Sequence, residues 1–185
     1  MSQLSAKQFL EISSKLIYKN RIFRLDSSKI KVKGQKRTFE HQVIRHPGAA
    51  VIVPLLDRNH VVLIRQFRTA LKRVVWEFPA GTLEKGEAPL RCAKREIIEE
   101  IGYEAKRWKK LALFYPAPGI SSEVMHLYLA SRLEPRQIDH DTDEYLESKV
   151  VSLKQLRKMV LAGTIDDAKT ILGFFYLMSD RNHSR

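Results

Sequence analysis

Cysteine is almost missing from this 185-residue chain, where Cys92 stands alone. A single thiol excludes an internal disulfide framework and a cysteine-built zinc centre, and it fits a reducing compartment, so a cytoplasmic location is expected. Long apolar runs are missing as well. The opening MSQLSAKQFLEISSKL holds no stretch suited to a signal peptide, and no segment approaches the roughly 20 apolar residues of a membrane span. A membrane is therefore not an expected partner. There is no internal repeat and no low-complexity linker, and this length suits one domain with at most a modest appendage.

Acidic residues are scarce. The chain has 21 Asp and Glu against 33 Lys and Arg, a net charge of +12, and residues 1–50 hold eleven bases but only Glu11, Asp26 and Glu40 as acids. Such a balance suits nucleic acid, an anionic surface or a phosphorylated small molecule. In SKIKVKG, however, Lys29, Lys31 and Lys33 alternate with Ile30 and Val32, the pattern of a half-buried edge strand with a soluble outer face. Aromatic residues are not interleaved with bases as in an RNA-binding sheet, which argues against nucleic acid.

Changes of hydrophobic period divide the chain. LIYKNRIFRL, KIKVK and RTFEHQVIRH read as short antiparallel strands, the last two joined by a turn at Gly34-Gln35. AAVIVPLL and VVLIRQF are apolar enough for central strands, and LALFY and VMHLYLA add two more across the stiff turn PAPGISSE. Asp139 to Ser148 reads as an acidic loop. Two terminal helices follow: Ser152 caps the first, Gly163 ends it, and Asp166 or Asp167 starts the second. Strands with interspersed and terminal helices predict an α/β layered domain.

Against this basic background GTLEKGEAPLRCAKREIIEEIGYE, residues 81–104, is anomalous. Pro89 to Ile101 reads as a helix, opened by its proline and closed by Gly102. Leu90, Ala93, Ile97 and Ile101 form one stripe, while Glu96, Glu99 and Glu100 share another face. Like charges at i,i+4 cost an isolated helix roughly 0.2–0.5 kcal/mol, and carboxylates in the C-terminal half oppose the helix dipole. A divalent cation reverses both penalties, because oxygen ligands at i, i+3 and i+4 converge above the helix and Mg²⁺ shares the phosphate oxygens of a substrate. Arg95, one turn before Glu99, is placed to orient that carboxylate, and Cys92 reads as a small filler.

The block resembles the Nudix hydrolase signature at Gly81, Glu87, Arg95-Glu96-Ile97, Glu99-Glu100 and Gly102, and departs from it only in Tyr103, where the family has an aliphatic residue. With residue frequencies of roughly 5–7% each, a chance match in such a chain is on the order of one in a million. The resemblance implies an α/β/α sandwich with a mixed sheet, preceded here by a small N-terminal antiparallel β unit. It implies water attack on a nucleoside diphosphate assisted by Mg²⁺ or Mn²⁺. By position, Glu96, Glu99, Glu100 and the Ala80 carbonyl are the implied metal ligands, with Glu99 and Glu100 counted also as catalytic and Glu87 as a support of the loop.

Outside the signature, RQFR (Arg65 to Arg68), WEFPAG (Trp76 to Gly81), Pro118, sixteen residues after Gly102, and GTIDDAKT (Gly163 to Thr170) resemble the ADP-ribose pyrophosphatase branch. That branch cleaves ADP-ribose and related nucleotide sugars such as ADP-glucose or GDP-mannose, and forms homodimers. The implied division is residues 1–46 as a dimerisation region, 47–180 as the hydrolase domain and 181–185 as a tail. Arg65, Arg68, Glu77 and Pro118 are the implied substrate contacts. Glu144 is the first choice for the base within DTDEYLE, with Asp141 and Asp143 as alternatives. A triphosphate or RNA 5′-end pyrophosphohydrolase, and a silent ligand sensor, are the competing readings. Trp76 and Phe114-Tyr115 read as core aromatics rather than base-stacking platforms.

Overall fold

The structure is a computed structural model, and it describes residues 5–137 and 146–183. After a short 3₁₀ turn, β1 (Phe9–Lys19), β2 (Arg24–Val32) and β3 (Thr38–Arg45) form an antiparallel sheet in that order. Asn20 divides what the sequence presents as the single strand LIYKNRIFRL. Its side-chain oxygen accepts the N–H groups of Ile22 and Phe23 at 2.9 and 2.8 Å, so the chain reverses there instead of extending. The lysine-bearing strand β2 is consequently central rather than an edge, although Lys29 and Lys31 do point outward. The edges are β1 and β3, and β1 is exposed along its whole length.

A second sheet contains β4 (Ala49–Leu55), β5 (His60–Arg68), β6 (Arg73–Glu77), β7 (Ala80–Thr82), β8 (Tyr103–Phe114), β9 (Met125–Pro135) and β10 (Leu146–Ser152). The strand path is β10-β5-β4-β9-β8, with β6 on β5 and β7 on β4; β4 and β9 run parallel and the other pairs antiparallel. The last residues of the expected acidic loop, Leu146 to Ser148, thus belong to β10, which their pairing with Gln66, Arg65 and Ile64 extends. β8 is also longer than LALFY, because an irregularity at Leu111 lets its pairing with β9 run back to Tyr103.

Alternate residues of β4 and β5 enter two cores. Ala50, Ile52, Val62 and Ile64 pack with Cys92, Ala93, Ile97 and Ile101 of α1 (Pro89–Ile101), whereas Val51, Val53, Val61 and Leu63 meet Leu156, Phe174 and Leu177 of α2 (Leu153–Leu161) and α3 (Ala168–His183). Truncating fully buried Ile97 to alanine should cost about 2–5 kcal/mol. Ser152 caps α2 by accepting Gln155 N–H at 3.1 Å, and Asp167 caps α3 by accepting Thr170 N–H at 3.0 Å. At Gly173 a Cβ would lie 2.9 Å from Phe78 and 3.1 Å from Val53, so α3 sits hard against the sheet. The result is the expected α/β/α sandwich behind a small antiparallel sheet. The two parts are stitched at Ile44, whose N–H donates to Ile120 O at 2.8 Å and whose carbonyl accepts Ser122 N–H at 2.9 Å.

Candidate active site

Helix α1 is laid against the short strand β7, which pairs with β4 through Ala50–Gly81 and Val51–Ala80. Its N-terminus has no side-chain cap but begins with Pro89; its C-terminus ends on Gly102 at φ 68°, whose N–H donates to Ile98 O at 2.9 Å. The three glutamates do not present one solvated face. Glu100 is buried and its Oε2 accepts the Ala80 N–H at 2.9 Å, Glu96 is nearly enclosed, and only Glu99 is half-exposed. Gly81 is required by proximity: a Cβ there would lie 1.7 Å from Glu96 Oε1. Cys92 Sγ donates to Gly81 O at 3.4 Å, and burial, reinforced by Glu96 and Glu87, pushes its thiol up to about 12. It is a filler, as the sequence indicates.

Arg95 does more than meet Glu99. Its Nη1 donates to Glu96 at 2.6 Å and Glu99 at 2.9 Å, while Nε and Nη2 each donate to Glu87 at 3.1 Å. Glu87 also accepts Glu84 N–H at 3.0 Å, which ties down the loop before the helix. These bonds, the Glu87 pair first, hold the guanidinium even more firmly protonated, and Arg95 holds the Glu87 carboxyl below its usual range. Three carboxylates thus share the one guanidinium of Arg95, and Glu100 lines the same cavity. Among the described residues no three such side chains already enclose a point where a metal would sit. The donor chemistry nevertheless fits a hard divalent cation: the donors are all oxygen and rich in carboxylate, and Ala80, Glu96 and Glu100 open on a cavity. Glu96, Glu99, Glu100 and the Ala80 carbonyl are the groups available to hold it.

That cavity, of about 980 Å³, is walled by Ala80, Glu96 and Glu100 on one side and by the β1–β2 hairpin, including Arg21 and Phe23, on another; Arg68 also lines it. Glu77 lies behind the wall, 2% exposed, and pairs through both oxygens with Arg68 at 2.7 and 2.6 Å. Arg65 is not in the wall: it lies 5.2 Å over the Trp76 ring and 3.4 Å from Glu147. Trp76, flanked also by Lys149 at 5.8 Å, packs against the α2–α3 core. Pro118 sits on an exposed turn outside the wall. Glu144, Asp141 and Asp143 lie outside the described residues. The sequence reading missed the hairpin tip, which Asn20 signals, and the pairing of Lys169 with Glu77, 92 residues away, which no local pattern reveals.

Residues 45–173 match the model of the NUDIX domain. An ADP-ribose pyrophosphatase of Bacillus subtilis (strain 168) is 35% identical over 170 residues, covering 90% of each chain. A GDP-mannose pyrophosphatase of Citrobacter koseri is 34% identical over 154 residues, covering 74% of this chain and 80% of that one. The solved structure of an ADP compounds hydrolase superposes with a TM-score of 0.83 at 22% identity, covering 98% of both chains, which is a likeness of fold.

Proposed function

The chain belongs to the Nudix family of pyrophosphohydrolases, and from that premise we propose that it hydrolyses the diphosphate of ADP-ribose or a related nucleoside diphosphate sugar. Water adds to one phosphorus, the bridging P–O bond breaks, and a nucleoside monophosphate and a sugar phosphate leave. The observation that carries this reading is the placement of Glu96, Glu100 and Ala80 on one wall of a cavity that Arg68 also lines. The relatives that cleave ADP-ribose and GDP-mannose supply the substrate class.

Mg²⁺, or Mn²⁺ on the same oxygen ligands, would neutralise the diphosphate and activate the attacking water. The chain's own part is to hold the charges in place. Arg95 keeps Glu96 and Glu99 aimed together, Ala80 N–H fixes Glu100, and Arg68 supplies a cation to the diphosphate. We assign removal of the water proton to Glu144, with Asp141 and Asp143 as the alternatives to be separated by single substitutions to Asn or Gln. Arg65, Pro118 and a second copy of the chain enter the same proposal. β1 exposes Phe9, Leu10, Ile12, Leu16, Ile17 and Tyr18, an apolar edge suited to a homodimer contact, in which case residues 1–46 are the dimerisation region. A monomer in sedimentation equilibrium at micromolar concentration removes that part. The buried lone thiol supports a cytoplasmic setting.

The deciding experiment incubates the protein and Mg²⁺ with ADP-ribose, ADP-glucose, GDP-mannose, UDP-glucose, deoxynucleoside triphosphates and triphosphorylated RNA, then identifies products. Nucleoside monophosphate plus sugar phosphate is the expected result. Release of pyrophosphate or phosphate from triphosphates or RNA, with the sugars untouched, would overturn it.

A further inference from the structure

Behind the cavity lies a second cluster of charges, of which the proposed chemistry uses only Arg68. Glu77, 2% exposed, receives Arg68 Nε at 2.7 Å on Oε1 and Arg68 Nη2 at 2.6 Å on Oε2. Lys169 Nζ donates to the same Oε2, and to Asp167 at 3.0 Å. Asp167 in turn accepts the Thr170 hydroxyl at 2.6 Å, and the Thr170 oxygen accepts Phe78 N–H at 2.7 Å. The chain of contacts therefore starts in α3 and ends in the cavity wall. Arg68 spends two of its three nitrogens on Glu77, and its Nη1 has no partner among the described residues. Where that nitrogen points depends on the rotation of the Glu77 carboxylate, and Lys169 fixes that rotation.

We infer that Lys169 is a positioning residue for substrate: through Glu77 it orients Arg68 toward the diphosphate, without itself touching the cavity. The inference rests on reading the cavity as the diphosphate site. It also recasts Glu77, which the sequence groups with the substrate contacts, as an intermediary. A planar guanidinium binds an anion well only in a fixed plane, so releasing one oxygen of its carboxylate partner loosens the plane.

The test is a double-substitution cycle read on ADP affinity by calorimetry in Mg²⁺, with KM and kcat on ADP-ribose alongside and thermal unfolding as a check on folding. K169Q should weaken ADP by about tenfold and raise KM more than it lowers kcat, while K169R restores affinity to within about threefold. Placed on R68M, K169Q should weaken ADP no further, because the route through Glu77 and Arg68 is gone. An undiminished effect of K169Q in the R68M background, or unchanged ADP affinity in K169Q, would overturn the inference, as would a wild-type chain that fails to bind ADP. Because ADP affinity needs no turnover, a protein that binds ADP but hydrolyses no nucleotide sugar would remove the proposed function and leave this test standing. If K169Q does not fold, K169R on R68M supplies the same comparison at retained charge, with any loss of ADP affinity beyond that of R68M counting against the inference.

Discussion

Two clusters of opposite arithmetic stand on either side of the Ala80 segment. Around Arg95, one guanidinium serves Glu87, Glu96 and Glu99; around Glu77, one carboxylate serves Arg68 and Lys169, with Asp167 restoring neutrality. In the first, three carboxylates compete for one guanidinium at the border of the cavity. The second is balanced and buried. A buried cluster whose charges answer one another holds elements together, whereas carboxylates gathered at a cavity suit a cation. The setting of each cluster, rather than the number of its ion pairs, separates the one assigned to metal from the one that ties α3 to the sheet.

The contrast is sharpest if a cavity carboxylate is neutralised. Glu96→Gln and Glu100→Gln should each lower kcat roughly a thousandfold or more while the protein still folds cooperatively in thermal unfolding. Full turnover in both would end the metal-ligand assignment. Gly81→Ala keeps the charges and displaces one of them, because the new methyl would occupy the place of Glu96 Oε1; a loss on the order of a hundredfold in kcat/KM is expected. Wild-type activity would mean that the position of Glu96 does not matter.

On the balanced side the expected loss is stability. Glu77→Gln strands Lys169 and Arg68, and since Arg68 is partly exposed the lower end of the range applies, about 3 kcal/mol in urea unfolding. The smallest effect is in pH. Burial works to raise the Glu77 pKa, but Arg68 and Lys169 outweigh it and leave the folded-state value below the usual 4.5. The stabilisation is therefore fully present above the unfolded pKa and is lost as pH falls through the depressed folded one. The gap between wild type and Glu77→Gln in urea should narrow as pH falls below the usual 4.5; a gap that widens there contradicts the sign.

What the sequence disclosed was whatever local chemistry determines. Pro89 and Gly102 mark the limits of α1, and Ser152 and Asp167 mark the starts of the last two helices, because caps and breakers act within one turn. Glu100 shows where such reading stops. A helical wheel groups it with Glu96 and Glu99, but its burial depends on β7 lying across the helix, a contact made 20 residues upstream. Arg65 and Arg68 are a different case. RQFR treats them as a pair, yet in a strand residues three apart face opposite sides, and the structure sends one to Trp76 and the other to Glu77. That separation was readable once the segment was taken as a strand. Lys169 lies within the motif GTIDDAKT, but its pairing with Glu77, 92 residues away, was not readable.

Cys92 gives the molecule a clock. Its thiol is fully buried, hydrogen-bonded to Gly81 O, pushed up to about 12, and unaccompanied by any other cysteine in the chain. An alkylating reagent therefore records only the moments when the Gly81–Thr82 strand lifts from α1, one event per molecule and with no background to subtract. Ligands that settle on Glu96 and Ala80 must slow that clock in proportion to their affinity for the closed form. The tick rate with and without nucleotide would thus time the opening of the Gly81–Thr82 strand in an unlabelled, unmutated protein.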